Sequence, residues 1–440
     1  MLKYILKRLG LSVIVLLGVS IIIYFLVRLM PTDFLETKYA SELQQGTMTY
    51  ERLNDFKKRY GLYMPDAYLT VEMKGGAYSD VKFTRDIRSQ AYEDASEGLV
   101  KFNDLYTGTY NCDDENIKLE LSSDGIWRII ESKDGATAEV KESGTFTASL
   151  SELKIRLETD QFICPTSYKV ATFGDKLGAV LGGYFTWLGN MLQGDLGESF
   201  SHEKPVATVI AEHMWVSFFI SLVALIFQFA ISIPLGIISA TRQYSVVDYS
   251  VTVITLVGIS LPSYFFAALL IKIFSSWLGW FPAFGLVTGG ASSTGLAYVL
   301  DMLHHLVLPM IVLIVLSIGS LMRYTRTNML EVLNSDYIRT ARSKGLSEKK
   351  VIYVHAFRNT MIPLMTLLAG ILPSLFGGAM ITEEVFAING IGRLAYNALR
   401  SGDIPFIMGY NMFLAVLTVI GTLLSDLMYA VVDPRVKLSK

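Results

Sequence analysis

The 440-residue chain is 52% hydrophobic and 18% charged, with mean hydropathy +0.42 and a net charge of −2. So apolar a composition excludes an ordinary soluble enzyme of this length. Bilayer-spanning helices need about 20 apolar residues each, and six stretches qualify.

The first, Leu9–Val27, carries no charge. No small-residue cleavage site follows it, so it reads as a retained span rather than a removed signal peptide. Residues 32–180 are different in kind: 18 Lys and Arg against 26 Asp and Glu, a net charge of −8, which marks a water-facing segment. Within it "MTYERLNDFKKRYGL" predicts a helix with Leu53 and Phe56 on one face. Then "IKLELS", "IWRIIES", "AEVKE", "GTFTAS" and "ELKIRLE" alternate apolar and polar residues between Gly and Asp-Gly turns. That pattern predicts antiparallel hairpins, about five strands in a small sandwich or half-closed barrel. Both cysteines, Cys112 and Cys164, fall here. In an oxidising compartment such a pair reads as a disulfide, with two free thiols as the alternative.

Five further spans follow: Met214–Ala240, Tyr249–Ile271, Leu306–Met322, Asn359–Thr382 and Ile404–Ser425. Prolines interrupt them at Pro234, Pro262, Pro309, Pro363 and Pro373, and helices that bend and pack closely around a pathway use such breaks. Gln228 lies deep in the second span, where an amide bonds a neighbouring helix or lines a pore; Ser263 and Tyr264 are further candidates for the lining. Lys272 reads as snorkelling outward rather than binding substrate, which is its alternative, and Asp426 sits where a charge reaches the inner interface. His304 and His305 point about 100° apart on a helix, which suits one metal poorly.

Fifteen Lys and Arg lie before the first span, in the turn after the second, between spans four and five, and at the C-terminus. The opposite short loops carry few. The positive-inside rule puts both termini in the cytoplasm and residues 31–213 outside. No nucleotide-binding G-x-x-x-x-G-K-[ST] loop, H-E-x-x-H or G-x-S-x-G occurs, so no catalytic residue and no bound cofactor or metal is expected.

Between spans four and five stands "SDYIRTARSKGLSEKK", Ser335–Lys350. Its spacing predicts a helix with Tyr337, Ile338 and Ala341 on a narrow apolar edge, and Asp336, Arg339, Arg342 and Lys344 elsewhere. Gly345 ends it in a left-handed conformation, and Ser347 caps the next helix with Glu348 in its first turn. Physical chemistry alone leaves two uses open: a basic amphipathic loop on anionic lipid, or a rigid knob that docks a cytoplasmic partner.

The order "DYIRTARSKGLS…HAFRNTMIPL" resembles the EAA-type coupling loop of ABC importer permeases, in particular the B-type permease of dipeptide and oligopeptide importers. Ala341 stands at the loop's small-residue position and Gly345 at its glycine; Asn359, Ile362 and Pro363 match its exit into the next span. "SLPSYFFAALLI", "LGWFPAFG", "ILPSLFGGAMITEEVFAINGIGRL", "DLMYAVVDPRVK" and "YFTWLGNMLQGDLGESF" are similar to other family segments. The resemblance covers residues 1–65 and 182–440. About 115 residues, Asp66 to Leu181, stand where the family runs on almost directly.

The resemblance implies an all-α polytopic membrane protein of six transmembrane helices with the type I ABC importer permease fold and an inserted β-rich extracytoplasmic domain. Its parts are a first span at 1–30, a helical segment at 31–65, the insert at 66–181, and a permease core at 182–440 with its coupling loop at 333–359. It implies a transport subunit in the bacterial cell membrane that is not itself an enzyme. The partners implied are a second homologous permease, two cytoplasmic ATPases that hold ATP and Mg, a substrate-binding lipoprotein and a peptide substrate, and no nucleic acid. Asp336, Tyr337, Ile338, Ala341, Arg342, Lys344, Gly345 and Leu346 are the implied ATPase-coupling residues, Tyr337 and Ile338 inserting into the ATPase groove. The same fold carrying nickel chelates, haem or a sugar-like solute, or a sensor anchored by its membrane part, are the competing readings. The insert either docks the binding protein or braces the partner permease or cell wall.

Overall fold

A computed structural model describes residues 2–28, 35, 39–45, 48, 50–73, 77–97, 105–114, 116–132, 138–149, 154–157, 162–290 and 294–432. The chain divides into two compact units, residues 35–192 and residues 1–34 with 193–440.

Helix α1 (Leu2–Arg28) belongs to the second of these units. The first unit opens with helices α2 (Ala40–Gln45) and α3 (Tyr50–Arg59). As the periodicity predicts, Leu53 is buried, and Phe56 stacks on Tyr39 with ring centroids 6.1 Å apart. Strands β1 (Ala67–Glu72) and β2 (Lys82–Ile87) follow, then helix α4 (Ser89–Ser96) and strand β3 (Gly108–Asn111). Strands β4 (Ile117–Leu121), β5 (Ile126–Glu131), β6 (Glu139–Ser149), β7 (Lys154–Leu157) and β8 (Phe162–Val170) complete the sheet. Each strand pairs antiparallel with the next, and β8 returns to β1 with Ala67 opposite Val170.

The expected sandwich or half-closed barrel is therefore a closed barrel of the eight described strands. Closure removes the sheet edges, which are otherwise sites of aggregation. "AEVKE" and "GTFTAS", expected as two strands, fuse into β6, with Gly144 opposite Trp127 and a register shift between Ile129 and Ile130 of β5. The "DG" turn expected at Asp134–Gly135 lies outside the described residues. Inward-facing Leu69, Phe83, Tyr110, Leu119, Trp127 and Ile129 are all at most 1% exposed, so side chains fill the described part of the barrel interior.

The Ala171 amide donates to the Asp66 carbonyl (2.8 Å), so the chain enters and leaves the barrel at one point. Neighbouring ends let an insert sit in a host without stretching it. Helix α5 (Phe173–Leu192) runs through the expected boundary at 181–182 without a break. It packs against the end of α3: a Cβ on Gly61 (φ +66°) would lie 2.5 Å from the Gly183 carbonyl oxygen. The described flanking helices α3 and α5 thus pack in the same compact unit as the barrel, residues 35–192.

The second unit holds α1, a two-residue hairpin (β9, Glu198–Ser199; β10, Lys204–Pro205), and α6 (Val206–Thr241). Then come α7 (Val246–Ser260) and α8 (Ser263–Leu270, continued as a π-helix over Ile271–Trp277), and α9 (Leu296–Leu333). The basic hairpin follows as α10 (Asp336–Ser343), α11 (Glu348–Lys350) and a π-helical turn (Val351–Ala356). Helices α12 (Phe357–Gly377), α13 (Met380–Val385), α14 (Ile391–Ser401) and α15 (Ile404–Val432) end the unit.

Five helices among the described residues are long and apolar enough to cross a membrane. The expected third span, Tyr249–Ile271, is broken instead: α7 and α8 meet at a bend of 100°. Pro262 is the cause. It cannot donate a helical hydrogen bond, and it keeps Leu261 extended (φ −80°, ψ 130°). Glycines let the long helices approach closely. A Cβ on Gly236 of α6 would lie 2.7 Å from Thr325 Cβ of α9, and one on Gly319 of α9 would lie 2.7 Å from the Thr255 carbonyl of α7.

Candidate functional site

The segment Ser335–Lys350 forms the expected helix–glycine–helix, but Ser347, expected to cap the second helix, makes no side-chain capping bond. Helix α10 begins after Ser335 and stops at Lys344, and Gly345 takes φ +74° with open space where a Cβ would stand. Gly345 is thus required by the turn's left-handed backbone, and no neighbour crowds it. Arg342 reaches across the turn to Glu348, its Nη2 donating at 2.8 Å to Oε1. That bond holds the Glu348 carboxyl below the usual carboxylate range. The two short helices are stapled together at their exposed side.

The apolar edge divides in a way the sequence does not show. Ile338 is 0% and Ala341 7% exposed, while Tyr337 is 47% exposed. Ile338 and Ala341, three residues apart, share one helical face and pack on Ile237 and Ala240 of α6, Met329 of α9, and Val351 and Ala356 of the π-turn; Leu346 packs beside them. The expectation that Ile338 enters a partner's groove, with Ala341 allowing its close approach, is corrected. Both are spent seating the hairpin on its own chain. Tyr337, about 100° round the helix, points away with Asp336, Arg339 and Lys344.

The helix ends beneath this seat are tied by a buried ion pair. Asp248, 3% exposed at the start of α7, accepts from Arg326 Nε (3.0 Å) and Nη2 (2.9 Å) on α9. It also accepts from the Ser239 hydroxyl of α6 and the Tyr244 amide. One carboxylate therefore joins α6, α7 and α9 where the hairpin sits, in the bidentate geometry that makes an Arg–carboxylate pair directional.

Two more buried carboxylates fix other corners. Glu383 (2% exposed) accepts from Ser217 Oγ at 2.7 Å, the Ala379 amide at 2.9 Å and the Arg393 amide at 2.9 Å. It joins α6 to both sides of the α13–α14 turn. Gly390 and Gly392 are needed around it, since a Cβ on either would crowd Glu383 Oε2. Asp403 (0% exposed) accepts from Ser199 Oγ at 2.6 Å and from the Phe200 and Ser201 amides at 3.1 and 3.0 Å. It pins the β9–β10 hairpin to the start of α15. Asp248, Glu383 and Asp403 were not singled out in the sequence. A charge within or beside an apolar span is the signal that finds them.

The remaining expected positions are scattered. Gln228 Nε2 donates to the Leu313 carbonyl at 3.1 Å, so its amide bonds a neighbouring helix. Ser263 and Tyr264 open α8 beyond the bend, Tyr264 being 60% exposed. Lys272 stands 5.7 Å from the Trp277 ring centroid. His304 bonds the Trp280 carbonyl and His305 that of Asp301. Asp426 lies outside the described side chains. Cys112 is a free cysteine whose Sγ is directed at the carbonyls of Asp114 and Ile117. Cys164 lies outside the described side chains, but its strand β8 is separated from β3 along the wall by β1 and β2. The expected Cys112–Cys164 disulfide thus falls on a side chain outside those described.

Residues 232–438 match the family described as binding-protein-dependent transport system inner membrane component. The oligopeptide transport system permease protein AppB of Bacillus subtilis is 41% identical over 256 residues, 58% of this chain and 79% of that protein. A putative peptide transport system permease protein of Brucella abortus is 40% identical over 251 residues, 57% of this chain and 78% of its own. The dipeptide transport system permease protein DppB of Alkalihalophilus pseudofirmus is 37% identical over 269 residues, 58% of this chain and 80% of its own. The chain belongs to this family: it is a multi-pass inner-membrane permease component of an ABC importer, which moves solute and leaves ATP hydrolysis to partner subunits.

Proposed function

We propose that this chain is a peptide-conducting permease subunit, driven by cytoplasmic ATPases through the exposed face of α10. In this reading the chain crosses the membrane six times, counting the bent α7–α8 pair as one span, with both termini and residues 335–350 in the cytoplasm and residues 31–213 outside. A second homologous permease completes the pathway. The ATPases hold ATP and Mg, and an extracytoplasmic binding protein delivers the peptide. Peptide as the solute is supported by the named oligopeptide and dipeptide permeases to which this chain is about 40% identical.

The observation that carries the coupling is the division of α10 into a buried and an exposed face. Tyr337, Asp336 and Lys344 form the contact surface for the ATPase, and Gly345 sets the angle between the two short helices. Arg342 staples the hairpin internally and Leu346 supports its seat, which takes both off the contact surface. Force applied at Tyr337 passes through Ile338 and Ala341 into the ends of α6 and α9, which the Asp248–Arg326 pair holds together. The hairpin then moves as one body with the spans, as switching between inward-open and outward-open states requires.

Tyr337→Ala tests this in the assembled importer. Peptide uptake should fall at least tenfold while membrane insertion and basal ATP hydrolysis persist. Ile338→Ala should instead lower thermal stability of the membrane unit together with uptake. Wild-type uptake in Tyr337→Ala would overturn the assignment.

A further inference from the structure

Helix α5 keeps one face for packing and leaves another bare. Val180, Tyr184 and Trp187 are buried, on the side where Gly183 meets Gly61. Next to that face stand Leu177, Leu181 and Phe185, four residues apart, with Leu192 two turns further on, so that they form one edge. They are 43%, 42%, 66% and 76% exposed. Single surface leucines are ordinary, but a continuous apolar edge marks a place of contact. Gly174, Gly178 and Gly182 run beside it and add no polar side chain.

The edge carries no charge. The charged residues of α5 are Asp175 and Lys176, both in its first turn. Asp175 is tied back there, accepting from the Thr172 hydroxyl at 2.7 Å and the Thr172 amide at 2.8 Å. From Leu177 to the end of the helix at Leu192 no charged residue occurs. A helical face turned to water over that length ordinarily carries Lys, Glu or Asp. The Thr186 hydroxyl, next to Phe185, donates to the Gly182 carbonyl at 3.0 Å, so its hydrogen bond is made inside the helix. An edge of Leu, Phe and Gly offers a protein partner none of the polar groups that fix register at an interface. A lipid surface needs none.

The chain itself brings this edge to a membrane. Leu192 is the last residue of the barrel unit, and Gln193, bonded to it, belongs to the membrane unit. Helix α5 is about 30 Å long, yet among the described helices it is not one of those apolar enough to cross a bilayer. A helix with one apolar edge, tethered directly to spans, lies in the bilayer surface instead. We propose that α5 is an interfacial helix, with Leu177, Leu181, Phe185 and Leu192 seated at the boundary between headgroups and acyl chains. The barrel unit is then held to the bilayer along α5 as well as through its chain ends. This holds whichever side of the membrane the barrel unit occupies, and so does not rest on the proposed function.

The test is nitroxide labelling of the full-length chain, one copy per nanodisc of phosphatidylcholine and phosphatidylglycerol. In a Cys112→Ser/Cys164→Ser background, single labels are placed by Leu177→Cys, Leu181→Cys and Phe185→Cys, and by Lys118→Cys on exposed β4 as the water-facing reference. Labels on α5 should collide more often with dissolved oxygen than with a water-soluble nickel chelate, at a depth of about 5–10 Å inside the headgroup boundary. The label at Lys118→Cys should show the reverse order. Adding Leu181→Glu to the Phe185→Cys chain should lower the oxygen-to-nickel collision ratio by about threefold or more. All these positions are exposed, and circular dichroism should show the fold retained. Nickel-chelate access on α5 equal to that at Lys118→Cys overturns the proposal. Shielding of the α5 labels from both reagents also overturns it, since a protein surface then covers the edge. An unchanged ratio in the Leu181→Glu chain overturns it as well, because the apolar edge would not be what seats the helix.

Discussion

The two units of this chain are built inside out with respect to each other. The barrel hides Trp127, Phe83, Tyr110 and Leu119 and turns Lys82, Glu120 and Lys118 outward. The membrane unit turns Ile14, Ile254, Phe219 and Val257 outward, each more than half exposed, and hides Asp248, Glu383 and Asp403. In water, apolar burial drives packing and charges keep the surface solvated. In lipid the outside is as apolar as the inside, so apolar burial discriminates poorly between one helix arrangement and another. What discriminates there is a carboxylate with three or four fixed donors, and a glycine where a backbone must approach.

The largest expected effect comes from exchanging these two kinds of damage. Glu383→Ala would leave Ser217 Oγ and the Ala379 and Arg393 amides without their acceptor in a buried site, a loss of about 3–5 kcal/mol on the scale of broken buried charge interactions. Trp127→Ala removes a fully buried ring from the barrel and costs a similar amount, about 3–5 kcal/mol. Hydrogen exchange read peptide by peptide should show each loss confined to its own unit. If Glu383→Ala left protection in α6, α13 and α14 unchanged, the comparison would lose its membrane half.

Close backbone approach gives the next effect. Gly236→Leu would drive a side chain into Thr325 and the Met322 carbonyl, against backbone that cannot give way, and should cost about 1–3 kcal/mol or more. Gly144→Ala in the barrel meets only the edge of the Trp127 indole, 2.6 Å from Nε1, and a side chain can shift where a carbonyl cannot. Thermal unfolding monitored by size-exclusion chromatography should rank Gly236→Leu as the more damaging. The reverse order would mean that the helices slide apart freely.

A third effect isolates the ion pair. Asp248→Asn and Arg326→Gln should each destabilise the ends of α6, α7 and α9, and the double variant should lose less than the sum of the two. A coupling energy of about 1–3 kcal/mol is the expected size for partners in direct contact. Additive losses would show that the pair only decorates the helix ends.

The same contrast explains what could be read in the sequence. Five of the six expected spans correspond to single long apolar helices, because length and hydropathy suffice to read them. The break at Leu261–Pro262 was not legible, because apolar sequence continues unbroken on both sides of a proline that other spans tolerate within a helix, as at Pro234 and Pro309. Strands β4 to β7 were visible through their alternation and Gly turns. Strands β1, β2, β3 and β8 were missed, so closure of the barrel was out of reach: it depends on Ala67 meeting Val170, far away along the chain. On α10 the helical face was legible, but what covers it was not. Ile237, Ala240 and Met329 come from distant segments, and only their arrival decides that Ile338 faces in and Tyr337 faces out.

The smallest effect is at the neck of the barrel, where the barrel unit also uses carboxylates, but more exposed ones than those of the membrane unit. Asp66 accepts from the Ser89 amide at 2.9 Å and the Ser89 hydroxyl at 2.8 Å, and the amide bond above all holds its carboxyl below the usual range against the opposing pull of burial. Asp175 is lowered in the same direction by the Thr172 hydroxyl and amide. A carboxyl with a depressed folded value contributes stability that is fully present above its unfolded value, about 4. That stability is lost as pH falls through the folded value. Between about pH 8 and pH 5 the neck should therefore be indifferent to pH. Below about pH 4, where the unfolded carboxyl begins to take up protons, helix α4 and the first turn of α5 should lose exchange protection before β4 and β5 do. Asp66→Asn should remove most of that difference for α4 while leaving α5 to follow Asp175. If α4 in Asp66→Asn still loosened with the wild-type pH profile, the Ser89 contacts would not be what couples the neck to acid.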